Sequence, residues 1–184
     1  MKHPTISRAL STLMLGAALL AGCASPRPAD YATEQPGLDL KAWFDGDIVA
    51  HGLFTDRSGK VVKRFTVLMR CRWTGDDGVL DEDFTYSDGT RQRRIWRIRQ
   101  LADANGERRY VGRADDIVGE AEGRAAGNAL NWRYTLLLPV DGRPIEVQFD
   151  DWMVLVDEHV LLNKAVMSKF GVRLGEVTLS FRKS

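Results

Sequence analysis

Cysteine and histidine are scarce in this sequence of 184 residues, which contains two cysteines and three histidines. The spacings that mark common catalytic and metal sites are missing as well: there is no His-x-x-x-His, no Gly-x-Ser-x-Gly and no glycine-rich loop suited to phosphates. The sequence therefore contains no recognisable hydrolase, zinc or nucleotide site. We predict no resident cofactor and no bound metal.

Net charge is also close to absent. The chain has 26 Lys+Arg against 25 Asp+Glu, a balance of +1, so no overall positive field attracts nucleic acid. Hydrophobic residues make up 44% of the sequence and charged residues 28%, which is typical of one globular domain and not of a disordered chain. We expect a single domain with no nucleic-acid partner.

Apolar runs are short, and the clearest one extends from Leu13 to Ala21 behind the basic residues Lys2 and Arg8. It falls well below the roughly 20 residues that cross a bilayer as a helix. A basic start followed by such a run is typical of a secretory signal peptide.

The tetrad Leu20-Ala21-Gly22-Cys23 resembles the lipobox of bacterial lipoproteins. The resemblance implies that residues 1–22 are a removable signal peptide and that Cys23 carries acyl chains, enough for stable membrane anchoring. Ala24 stands where an Asp usually retains such proteins in the inner membrane. The implied location is the outer membrane, on its periplasmic face.

Lipidation of Cys23 leaves Cys71 without a disulfide partner in the chain. Cys71 shares the apolar face of a predicted strand, so we interpret it as a buried small hydrophobe. Residues 24–42 contain three prolines and no sustained apolar period. They predict a flexible tether over 23–42, followed by one domain over 43–184.

Beyond residue 43, turn sequences such as Ser87-Asp88-Gly89 separate segments in which apolar and polar residues alternate. The connections are too short for parallel crossovers. We therefore predict an all-β fold: an antiparallel up-and-down meander closed into a lipocalin-like barrel of about 8 to 10 strands, roughly the size that holds one small ligand. A short helix near 163–170 is the alternative to a strand there. The predicted strands are 46–55, 60–73, 78–86, 91–101, 108–114, 117–124, 128–138, 144–156, 159–167 and 174–182.

The hairpin around Ser87–Gly89 gives a specific register. If these three residues form the loop, Leu80 pairs with Trp96. The same register pairs Glu82 with Arg94, and we prefer it to a two-residue turn because it matches apolar with apolar side chains. An inward pair of this kind would form a polar floor that grips a ligand head group. Alternatively, the pair closes one end of the barrel or lies on its outer face.

Other charged residues carry weaker signals. The arginines on the opposite face of the same strand are Arg91, Arg93, Arg97 and Arg99. They either contact anionic lipid head groups or pair with acids such as Asp81 and Asp83, and we favour the second. The acidic pairs Asp115-Asp116 and Asp150-Asp151 lack the ligand spacing of a hard-cation site, and alternation sends one member of each pair inward and the other outward.

Several longer phrases carry a family resemblance. They are Gly52 to Gly59, Asp81 to Gly89, Gly112 to Gly119, Gly127 to Tyr134, Asp150 to Met153 and Met167 to Gly171. Together they resemble a family of proteobacterial lipoproteins of unknown function, over essentially the whole mature domain. The resemblance implies no known activity. The lipocalin Gly-x-Trp signature is absent, since Lys41 stands two places before Trp43.

We hypothesise a lipid-anchored barrel that binds a hydrophobic or amphipathic small molecule, a fatty acyl or lipid species, within its walls. The predicted ligand-binding residues are Glu82, Arg94, Trp96, Trp132, Tyr134 and Trp152. Two alternatives stay open. One is a solid barrel whose outer face binds an envelope protein, and the other is a small-molecule enzyme in which Glu82 acts as acid or base and Arg94 orients a carboxylate. We favour a binding protein over an enzyme.

Overall fold

The computed structural model describes residues 25–140 and 142–183. The predicted signal peptide (1–22) and Cys23 lie outside the described residues. The strands are β1 (Gly46–Asp56), β2 (Val61–Thr74), β3 (Asp77–Tyr86), β4 (Arg91–Ala104), β5 (Glu107–Arg113), β6 (Ala121–Ala126), β7 (Ala129–Val140), β8 (Arg143–Leu155), β9 (Val160–Lys169) and β10 (Val172–Lys183). Each strand pairs with the next, and β10 pairs antiparallel with β1, so the sheet is a closed barrel.

This architecture confirms the predicted all-β antiparallel barrel. The alternative of a short helix near 163–170 is wrong, because that segment belongs to strand β9. Burial alternates along it: Leu161 and Ala165 are buried, whereas Leu162 is 47% exposed. A period of two residues is the signature of a strand with one face toward a core, and a helix would have mixed the two faces.

The hairpin between β3 and β4 has the predicted register. Leu80 pairs with Trp96, and Glu82 pairs with Arg94. The turn is possible because Gly89 adopts a φ of +83°, a left-handed conformation that costs glycine little. Both residues of the Glu82–Arg94 pair therefore project from the inner face of the wall.

One end of the barrel is closed by the segment that precedes β1. It contains a 3-10 turn (Pro28–Tyr31) and a single helical turn, α1 (Leu40–Trp43). The Asp39 side chain caps α1 by accepting hydrogen bonds from the backbone N–H groups of its first turn, at 3.0 and 3.3 Å. Leu38 and Phe44 are almost completely buried, and the Leu38 N–H donates to the carbonyl of Gly127 at 2.7 Å.

The prediction of a flexible tether is therefore wrong for residues 28–42. The prolines and the missing periodicity gave no sign that Leu38 and Leu40 would be buried. These two leucines are buried individually and do not form the apolar face of a longer helix. Burying each of these side chains contributes about 1.5–3 kcal/mol. This gain offsets the entropy cost of ordering the segment over the barrel end.

Cys71 lies on the inner face of β2 and is completely buried, as predicted. Burial raises the pKa of its thiol to about 12, and the negative charge of Glu82 adds to the rise. The thiol is therefore neutral at physiological pH and packs as a small apolar group. Within the part of the chain that the structure describes, there is no helix of the length and apolar character that crossing a membrane demands.

Candidate functional site

The barrel encloses a cavity of about 850 Å³. Leu40 and Phe44 of the closing segment line its floor. At the opposite end it reaches the hairpins β1–β2, β3–β4 and β7–β8, where Val62, Thr90 and Pro139 line it. The alternative of a solid barrel requires an interior filled by the protein's own side chains, and this interior is not filled. Its volume falls within the range of roughly 300–1,000 Å³ that is typical of small-molecule sites.

The space exists because a large ring lies flat against the wall. Trp132 of β7 packs over Gly112 and Gly123 of the neighbouring strands β5 and β6. A Cβ at either glycine would collide with the indole and push it toward the lumen. Glycine at these two strand positions thus accommodates a tryptophan in the wall and leaves the centre open.

Aromatic side chains form one continuous wall of the cavity. The ring centroids of Trp96 and Trp132 are 5.7 Å apart at an interplanar angle of 82°, and Tyr134 lies 5.5 Å from Trp96. Tyr134 also stacks on Phe149 at 4.9 Å. The structure therefore brings together three predicted site residues, Trp96, Trp132 and Tyr134, in contact geometries that favour aromatic pairs.

Trp152 does not belong to this wall, so its prediction as a ligand-binding residue is wrong. It faces outward from β8 and packs against Tyr31 of the closing segment, with 5.8 Å between ring centroids. Asp151 occupies the inward position beside it and is buried. Alternation along the strand permits only one of two adjacent residues to face the lumen.

Arg94 has a different partner from the predicted one. Its guanidinium donates to both carboxylate oxygens of Asp116, at distances from 2.8 to 3.2 Å. No ion pair between Arg94 and Glu82 forms among the described residues. The guanidinium reaches past its cross-strand neighbour to the loop between β5 and β6. Because Asp116 occupies the Nε and Nη2 edge of the guanidinium, a substrate carboxylate would have to share Arg94 with it.

Asp116 is held in place by backbone hydrogen bonds to β7. The Leu137 N–H donates to the Asp116 carbonyl at 2.8 Å, and the Val118 N–H donates to Thr135 at 2.9 Å. The 114–120 loop therefore lies against the wall and brings its acid over Arg94. Strand alternation predicts that one member of each acidic pair turns inward, but nothing in the sequence near Asp116 indicates its partner Arg94.

Glu82 is buried on the inner face and lines the cavity. No described residue donates a hydrogen bond to its carboxyl group. Burial raises the pKa of Glu82 to about 7; the attraction of Arg94 opposes this rise, whereas the charges of Asp116 and Asp81 reinforce it. Near neutral pH the side chain is thus divided between its charged and neutral forms.

Asp151 is the second buried acid of the cavity. The Tyr134 hydroxyl donates to its Oδ2 at 3.3 Å, whereas its Oδ1 is buried without a partner. Burial raises the pKa of Asp151 to about 8, although the hydrogen bond from Tyr134 acts to lower it. The Asn163 side-chain oxygen, also part of the lining, is buried and unpartnered too. Asp151 and Asn163 are site residues that the sequence analysis did not select.

Arg94 stays cationic in this setting. Burial acts to lower the pKa of Arg94, but the charge of Glu82 and the hydrogen bond to Asp116 outweigh this effect. The pKa of Arg94 therefore lies above its ordinary value. Across the described ranges, 25–140 and 142–183, no cluster of three or more His, Cys, Asp or Glu side chains is arranged to hold a metal ion. The chemistry available inside the cavity is therefore hydrogen bonding, charge and apolar contact.

The sequence matches one known protein family over most of its length. Residues 17–183 match the family described as "Protein of unknown function (DUF3833)". The chain belongs to this family. No curated protein sequence matches the chain.

One solved structure shares the fold. The S-type phycobiliprotein lyase CPES from Guillardia theta superposes with a TM-score of 0.60 at 5% sequence identity, over 87% of this chain and 99% of that chain. A structure of EF1p2_mFAP2b bound to DFHBI matches with a TM-score of 0.41 at 10% identity, over 78% of this chain and 95% of that chain. At 5% identity, the likeness to the lyase establishes a shared lipocalin-like barrel fold and does not extend to activity.

Proposed function

We propose that this protein is a lipoprotein that is anchored through Cys23 to the periplasmic face of the outer membrane and binds a hydrophobic or amphipathic small molecule, a fatty acyl or lipid species, in its barrel. The observation that carries the binding proposal is the open cavity of about 850 Å³ with its aromatic wall. The anchor rests on the lipobox-like tetrad before residue 24. An envelope protein partner stays a prediction.

The lining gives an energetic reason for an apolar guest. Burying each methylene contributes about 0.8 kcal/mol, so a chain of about ten carbons gains on the order of 8 kcal/mol before the entropy costs of association. Phe84, Met153 and Met167 line the cavity with Leu136. Methionine adapts to different guest shapes because its side chain is flexible and unbranched.

An acylated Cys23 would also orient the barrel. Residues 23 to 28 span at most about 18 Å when fully extended, and the Pro28–Tyr31 turn packs on β6 and β7 near the closed end. The closed end would then face the anchoring membrane, and the cavity mouth would face away from it. This arrangement suits a carrier or sensor that receives its ligand from the periplasm.

Native mass spectrometry of protein extracted from its own membrane tests the binding proposal. We expect one amphipathic molecule bound per chain, and saturable changes in tryptophan fluorescence when membrane lipid extracts are added. Ala165→Phe places a ring in the lumen and should reduce occupancy, whereas Leu162→Phe on the outer face of β9 should not. Absence of any bound molecule and of any fluorescence change would refute ligand binding.

The anchor has its own test. A Cys23→Ser variant should lose incorporation of a radiolabelled fatty acid and leave the membrane fraction, while Cys71→Ser should retain both. Unchanged labelling of the Cys23 variant would contradict the proposed lipidation.

A further inference from the structure

The polar groups of the cavity are unequally satisfied. Arg94, the cation of the buried cluster, is held by both oxygens of Asp116. The Tyr134 hydroxyl is likewise engaged as a donor to Asp151. The Nε–H and Nη2–H groups of Arg94 and the Tyr134 hydroxyl are therefore already in use as donors.

Three acceptor groups that line the cavity lack a hydrogen-bond partner among the described residues. The Glu82 carboxyl receives no hydrogen bond, and the oxygens Asp151 Oδ1 and Asn163 Oδ1 are buried and unpartnered. All three residues line the same cavity. Buried acceptors without donors are costly, so a guest that brings N–H or O–H donors would relieve this cost.

The charges of the cavity residues also favour a ligand with a positively charged group. Asp116 neutralises Arg94 within the ion pair, which leaves the carboxyl groups of Glu82 and Asp151 without a compensating cation when they ionise. A ligand carboxylate would have to share Arg94 with Asp116 and lie close to Glu82, which places like charges together in an apolar interior. A cationic group would instead complete the neutralisation.

We propose that the cavity selects amphipathic ligands whose head group is a cationic amine, bound by the Glu82 carboxylate, over ligands with a carboxylate head. This inference rests on the proposed function and narrows its ligand class. The apolar chain would lie against the aromatic wall, and the ammonium N–H groups would supply the missing donors.

Isothermal titration calorimetry with three probes of one chain length tests this preference: dodecylamine, 1-dodecanol and sodium dodecanoate at pH 8, below their aggregation limits. The amine is then cationic and the carboxylate anionic, and Glu82 is mainly ionised. We expect the dissociation constant of dodecylamine to be at least about tenfold lower than that of dodecanoate, with dodecanol in between and one molecule bound per chain.

Variants locate the preference. Glu82→Gln keeps the size of the side chain and should reduce the ratio of amine to carboxylate affinity to near one. Asp83→Asn removes a neighbouring carboxylate from the outer face of the same strand and should leave the ratio unchanged. This control detects non-specific attraction of the amine to the acidic surface.

The outcomes separate the two proposals. Dodecanoate binding as tightly as dodecylamine, or a Glu82→Gln ratio equal to that of the wild type, would overturn the amine preference while leaving the cavity a binding site. Failure of all three probes to bind saturably would overturn ligand binding itself. Because the wild-type comparison needs no variant, the inference stays testable even if Glu82→Gln folds poorly.

Discussion

Asp81 and Glu82 are adjacent in β3 but face opposite sides of the barrel wall, and their acid strengths diverge. Hydrogen bonds from Arg93, reinforced by Arg70, lower the pKa of Asp81 to about 2 on the outer face, although its slight burial acts in the opposite direction. Burial raises the pKa of Glu82 to about 7 on the inner face. The face of the wall, and not the neighbouring sequence, therefore sets the protonation of these two carboxylates.

The arginines of β4 show the same contrast. Arg93 and Arg99 pair with Asp81 and Asp77 on the outer face, where the two arginine side chains are 58% and 64% exposed, which confirms for these two residues the predicted solvated outer face. Arg94 pairs with Asp116 inside, where its side chain is 14% exposed. Solvent screens the outer pairs and makes them weak contributors to stability, whereas breaking the inner pair would leave a buried charge without compensation.

The largest expected effect is a pH dependence that comes from the inner face. The pKa of Glu82 is raised in the folded state from 4.5 to about 7, so between these values the folded chain holds more protons than the unfolded chain. Stability therefore falls as pH rises through this window, by on the order of 3 kcal/mol from this group. Urea unfolding at intervals from pH 4.5 to 8 measures the slope.

A pair of variants assigns this slope to one face. Glu82→Gln should remove the part of the slope that comes from Glu82, and the larger remaining part should come from Asp151, whose pKa is raised to about 8. Asp81→Asn should leave the slope intact, because the stability that comes from the lowered pKa of Asp81 is constant above about pH 4 and is lost only as pH falls below that value. Equal slopes for wild type and Glu82→Gln would contradict the inner-face explanation.

The second effect is the loss of the Arg94 partner. Asp116→Ala should lower the free energy of unfolding by about 2 kcal/mol, near the low end for a buried pair because the Asp116 side chain is 26% exposed. Asp83→Ala breaks the outer pair with Arg70 and serves as the matched control. If both variants lose the same stability in urea unfolding, the distinction between the two faces fails.

The third effect concerns packing against the wall. Gly123→Ala drives a methyl group into the Trp132 ring and should cost about 1 kcal/mol or somewhat more. The displaced indole should also reduce ligand binding. Glu122→Ala, on the exposed outer face of the same strand, should change neither quantity. A Gly123→Ala variant with unaltered stability and binding would show that Trp132 does not depend on the glycine.

The smallest effect is expected on the outer face. Arg93→Gln removes a guanidinium that is 58% exposed and leaves Asp81 its second partner, Arg70, so the urea midpoint at pH 7 should stay within experimental error. Addition of 1 M NaCl should also leave the urea midpoint unchanged. Salt screens only exposed charges, and the exposed pairs contribute little to stability. A clear loss of stability in either experiment would show that the outer pairs contribute more than solvent screening permits.

Much of the fold is predictable from the sequence because the rules involved are local. Alternation along each strand and turn residues between strands indicate the ten strands of the barrel. The Leu80–Trp96 register follows from one loop. The inward direction of Glu82 follows from that register, since neighbours on a strand alternate between faces.

The site is only partly predictable for the opposite reason. The Arg94–Asp116 pair joins residues 22 positions apart through a loop that rests on β7, and no period or spacing encodes this contact. The ordered structure of the closing segment depends on pockets that several strands form together. Trp152 is predicted to line the pocket because it is a large aromatic residue. Its position next to the inward-facing Asp151 on the strand places its side chain on the outer face instead.

Neighbours along the chain and single hairpins encode the strands, their antiparallel order and the alternation of side chains between the two faces of the wall. The open lumen, the neutralisation of Arg94 by Asp116 and the unpaired position of Glu82 arise only when all the strands pack together. Cavity volume and pKa depend on the combined packing and desolvation by side chains from many strands. No segment of the chain contains that information alone.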